Sequence, residues 1–81
     1  MASYKVLYWG DLPAQIKVFD GGRVLSHRLP EKFQAAIDQA AMAAGLTGSD
    51  EYLGRWRWGP AQERPGSAEA VLAKVLKELG A

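Results

Sequence analysis

The side chains able to do chemistry in this 81-residue chain are few and scattered. Cysteine is absent, which removes a thiol nucleophile, a disulfide framework, cysteine-ligated zinc and an iron–sulfur cluster. The single histidine, His27, has no second histidine and no patterned serine near it, so a surface role is favoured over catalysis or metal binding. Asp50 and Glu51 form the only adjacent acidic pair. They follow Ser49, and acids at that place suit the positive end of a helix better than acid–base work. Gly21-Gly22, Gly45 and Gly48 lack the lysine and the following helix that a phosphate loop needs. No catalytic, cofactor-binding or metal-ligating set is expected, and the chain reads as a non-enzyme.

The unusual segment is Arg55-Trp56-Arg57-Trp58. Two tryptophans and two arginines in four residues can fill a core, anchor a protein interface, or stack on bases. In so small a domain the core comes first and a protein interface second. Nucleic acid comes last, because a net charge of +1 gives no general pull towards a polyanion. Tyr8-Trp9 raises the same question. Strand alternation places Leu7 with Trp9 on one side and Val6 with Tyr8 on the other. Candidate interface residues are therefore Tyr8, Trp9, Arg55, Trp56, Arg57 and Trp58. The expected partner is a protein or a second copy of the chain, with no nucleic acid and no membrane.

Several short elements must position these groups. Residues 4–9 are aromatic and β-branched, residues 15–19 and 23–28 are β-rich, and Asp20-Gly21-Gly22 between the last two predicts a hairpin. From Pro30 the apolar period changes to 3.6, with Phe33, Ala36, Ile37, Ala40, Ala41 and Ala44 on one stripe up to Gly45. That predicts a helix over residues 30–44, with Met42 on its other side. Residues 47–50 break the pattern. One or two helical turns follow over residues 50–54, then extended chain through Trp58, then a loop or short strand over 61–66. Ser67 caps a last helix whose apolar face is Val71, Leu72, Val75, Leu76 and Leu79, with Lys74 and Glu78 spaced to pair on its other side.

These elements make one small α+β domain over residues 1–81: an antiparallel sheet of three to four strands with two amphipathic helices packed on one face. The longest uninterrupted apolar run, residues 40–44, is far short of the roughly 18 residues of a membrane span. No leader pattern opens the sequence, so a cytoplasmic location is expected. Large aromatic surface on a sheet covered from one side predicts a homodimer, meeting through Tyr8-Trp9 or residues 55–58.

Four segments also carry a resemblance. Tyr8-Trp9-Gly10-Asp11-Leu12-Pro13-Ala14, the helix segment from Lys32 to Asp38 with Ala41-Met42, Ser49-Asp50-Glu51-Tyr52-Leu53 with Trp56, and Arg64 followed by Gly66-Ser67-Ala68-Glu69 resemble the bacterial virulence factor domain family. The same domain is similar to part of the longer conserved virulence factor C proteins. The resemblance spans residues 4–79 and implies no reaction and no catalytic residues. In the longer proteins it implies the company of an iron–sulfur scaffold-like domain and helical repeats; without cysteine, any such role here comes through a partner. Asp38, Met42, Asp50 and Tyr52 belong to the matching motifs and form a candidate ligand site at one end of the domain. The alternative to an interaction module is thus a small-ligand-binding domain or an accessory subunit of an enzyme.

Overall fold

The computed structural model describes residues 2–46 and 48–81, so Thr47, within the expected break, lies outside the described residues. The elements are β1 (Ala2–Trp9), β2 (Leu12–Asp20), β3 (Arg23–Arg28), α1 (Glu31–Ala43), α2 (Asp50–Gly54), β4 (Trp56–Trp58), β5 (Gln62–Arg64) and α3 (Ala68–Glu78). The domain is α+β, as expected. Its antiparallel sheet runs β3-β2-β1-β4, and β5 also pairs with β1.

The β2–β3 hairpin forms where Asp20-Gly21-Gly22 predicts it. Gly21 has φ +61°, the left-handed conformation that a two-residue hairpin turn requires and that glycine adopts without strain. On the opposite edge, β4 pairs with the Leu7–Trp9 end of β1 and β5 with its Ala2–Tyr4 end. Between the Leu7–Trp58 and Tyr4–Gln62 pairs, two residues of β1 face three of the returning chain, which therefore bulges. The Gly59 N–H donates to the Val6 carbonyl at 2.8 Å, and a Cβ on Gly59 would stand 3.1 Å from Cε2 of Tyr8. Pro60 follows, where no ladder bond is lost. The segment that reads as strand or loop is both: a strand interrupted by this bulge.

The Cα trace is 41 Å long, and its core is split along the strands into two clusters. The first joins Tyr4, Val6, Ile16 and Val18 to Ala68, Val71 and Val75 of α3. The second gathers Trp9 at the end of β1 with Ile37 and Ala41 of α1 and Leu46. Both long helices dock against β2. Ile37 and Ala41 are the buried residues of α1, on the expected stripe, but Ala44 caps the helix and is exposed. Val71 and Val75 are buried on α3 as expected, joined by Ala68 in its first turn. The Ser49 and Ser67 hydroxyls accept the Tyr52 and Ala70 N–H groups at 3.2 Å, capping α2 and α3. Pro30 stands one place earlier than expected, at the cap position rather than in the first turn.

Side-chain ion pairs tie α3 to the sheet. Arg64 holds Glu78 through two hydrogen bonds of 2.6 Å, and Arg23 bonds Glu69 at 2.7 Å. Glu78 thus takes Arg64 of β5, not the Lys74 one turn before it in its own helix. The hydrogen bond from Arg64 lowers the pKa of Glu78, and the hydrogen bond from Arg23 lowers that of Glu69. A carboxylate lowered in the folded state adds stability above the ordinary carboxylate range and loses it as pH falls through the lowered value. The melting temperature should therefore fall on acidification below about pH 4.5. Arg64→Ala should flatten that fall, and Lys74→Ala should leave it almost unchanged.

Candidate interaction surface

Alternation along β1 and β2 decides which side chains meet α3 and which do not. Tyr4, Val6, Ile16 and Val18 face it and are buried. On the other side, the register sets Lys5 opposite Lys17, Leu7 opposite Trp58, Phe19 opposite Val24, and Gln15 opposite Arg28. This second face carries apolar and basic groups together. Lys17 Nζ lies 5.3 Å from the centre of the Trp58 ring, within cation–π range. Trp58 is 42% exposed and Val24 54%, large values for such side chains in a folded domain.

The candidate interface residues separate. Trp9 is 3% exposed, its Nε1–H donating to the Tyr52 carbonyl at 2.9 Å, so it is a core residue and has no surface to offer a partner. Trp56 is half-buried against the same cluster, and its ring meets that of Tyr52 edge-on at 6.4 Å. Tyr8 is half-buried beside the first cluster, with the Arg57 guanidinium 5.1 Å from its ring. Arg55 lies 5.6 Å from the Trp9 ring. Of the original six, Arg55, Arg57 and Trp58 remain exposed.

The candidate ligand residues are placed differently from one another. Asp38 accepts a hydrogen bond from the Gln34 side chain one turn earlier at 3.0 Å. Met42 is 71% exposed, and Asp50 is an exposed first residue of α2. Tyr52 packs its ring between Trp9 and Trp56. Among the described residues no side-chain hydrogen bond joins these four. A groove of about 610 Å³ opens elsewhere, between Leu7, Gln15 and Arg28 of the sheet and Glu31, Gln34 and Trp56.

Charge is divided by element, which a count of the whole chain conceals. The strands hold six of the Lys and Arg residues and two acids, Asp20 and Glu63; the helices hold three Lys and six acids. A basic sheet backed by acidic helices results. Composition alone misses this surface, but tallying charge strand by strand would have found it.

A family model described as virulence factor matches residues 7–81. The chain belongs to the virulence factor family. No curated protein and no solved structure matches it. The matched stretch takes in Leu7 to Trp9 of β1 and every element after it, so Lys17, Arg28 and Trp58 all lie within the virulence factor domain. Among the described residues no helix is long and apolar enough to cross a membrane, and no group of three potential metal ligands converges.

Proposed function

We propose that this virulence factor domain is a non-enzymatic, cytoplasmic protein-interaction module whose partner presents acidic side chains to the sheet face turned away from α3. The observation that carries the reading is the juxtaposition of exposed Trp58 with Lys17 on a face that also bears Lys5. A large exposed aromatic ring beside a cation is a usual anchor at protein interfaces, while complementary charge supplies orientation and encounter rate. An isologous contact of two copies through this face would set basic residues against basic residues, so a different, acidic protein fits it better. Nucleic acid is less suited, since Glu63 shares this side of the sheet with the lysines.

A photo-crosslinking residue at position 58, expressed in the native host, tests the proposal. A discrete protein adduct is expected that survives nuclease treatment and disappears with Lys17→Glu. The same adducts from a crosslinker at position 42 on α1, or adducts lost to nuclease, would reject it. The groove beside Arg28 favours a second reading, a small-ligand site, since its volume lies within the range of ligand clefts. A thermal-shift screen of small carboxylates decides that reading: a concentration-dependent rise abolished by Arg28→Ala supports it, and flat curves reject it.

A further inference from the structure

The two edges of the sheet are not alike. The β4–β5 edge consists of two three-residue strands separated by the bulge at residues 59–61 and Pro60, a form that resists pairing with another chain. The β3 edge is six residues long, unbroken in register with β2, and free of proline. Among the described residues β2 is its only strand neighbour. All its residues but Leu25 are exposed.

The hydrogen-bond parity of this edge can be read from the hairpin. In a two-residue hairpin the residues flanking the turn, Asp20 and Arg23, bond each other, and alternate pairs follow. The Leu29 N–H donating to the Ala14 carbonyl at 3.1 Å continues the same odd-numbered series. The backbone N–H and C=O groups of Val24, Ser26 and Arg28 therefore point away from β2. Among the described residues no strand meets them.

The geometry points to a second copy of this chain as the occupant of that edge, the two β3 strands pairing antiparallel about a twofold axis at Ser26. The sequence is complementary to itself in this register. Ser26 meets its own counterpart, Val24 meets Arg28 of the other copy, and Leu25 meets His27. No pair of like charges stands directly opposed. Val24 and Leu25 lose water-exposed surface, and about six backbone hydrogen bonds form between the copies. The alternative reading of Arg23 and Arg28 is a charged edge that keeps copies apart. That reading does not account for an edge free of proline and bulge, with apolar Val24 at 54% exposure. The twofold axis stands perpendicular to the sheet, so both copies present Trp58 and Lys17 on the same side of one continuous ten-stranded sheet. The pairing is independent of what docks on that side.

An interface of this size is a weak one, so dissociation in the micromolar range or above is expected. Sedimentation equilibrium across a concentration series should show the mass rising from 8.8 kDa towards twice that value. Val24→Glu places a carboxylate opposite Arg28 of the partner and should tighten the dimer several-fold; Val24→Lys places two cations there and should loosen it. Ser26→Pro removes an outward N–H that β2 does not use, and should give a monomer with an unchanged circular dichroism spectrum. The Val24 pair keeps the test decisive if Ser26→Pro fails to fold. A mass fixed at 8.8 kDa at the highest concentration, or a dimer indifferent to both Val24 substitutions, would overturn the proposal.

Discussion

Trp9→Ala should cost about 3–5 kcal/mol, the range for deleting a large buried aromatic side chain. The expectation rests on three features: 3% exposure, contact with Ile37 and Ala41, and the bond from its indole N–H to the Tyr52 carbonyl. Small domains hold only about 5–15 kcal/mol of stability, so this one substitution removes a large fraction of it. Trp9→Phe keeps most of the ring volume but leaves the Tyr52 carbonyl without its donor, and should cost about 1–3 kcal/mol. Trp58→Ala should change stability by less than about 1 kcal/mol, because its ring is already partly in water. Urea unfolding of the three variants checks the ranking. A Trp58→Ala loss as large as that of Trp9→Ala would return Trp58 to the core and remove it from the proposed surface.

The second large effect belongs to the other cluster. Ile16 is fully buried between β1, β3 and α3, and Ile16→Ala should cost about 2–4 kcal/mol. The two clusters share no buried residue. Milder substitutions in each, Ile16→Val and Trp9→Phe, should therefore add to within about 0.5 kcal/mol in the double variant. A coupling well above that value would mean that the clusters behave as one packed unit. The comparison needs variants that still unfold in a single transition, which is why the milder pair is chosen.

Most of the fold was legible because its signals are local. Gly21 at the hairpin turn, the stripe from Phe33 to Ala41 and the serines before α2 and α3 each specify structure within a few residues. The three tryptophans were harder to assign. Alternation tells which side of a strand a residue faces, but not which side the helices cover at that point along it. Trp9 and Trp58 are both on strands, yet one is sealed by α1 and the other is not. The bulge at residues 59–61 depends on the register of two strands far apart in sequence, so no local pattern announces it.

The candidate site was legible in part. Composition points to Trp58, and to Arg57 on the Tyr8 side that meets α3, but not to Lys5, Lys17 or Arg28. Their shared face depends on three strands taking one register, and each looks like an ordinary solvated cation when read alone. Similarly, the stacking of Arg57 on Tyr8 and of Arg64 on Tyr4 needs neighbouring strands to be in place. In the sequence Tyr52 reads as a ligand residue, but its ring lies between Trp9 and Trp56 because α2 folds back over the end of β1.

The central claim is that the basic, aromatic face of the sheet is where this domain meets its partner. Amide and indole signals of the isotope-labelled domain, followed by NMR as lysate of the native host is added, test it most directly. Signals of Lys5, Leu7, Lys17 and the Trp58 indole should weaken first and recover on adding salt, while those of Lys74 and Lys77 on α3 persist. Loss of the α3 signals first, or uniform loss over the whole domain, would contradict it.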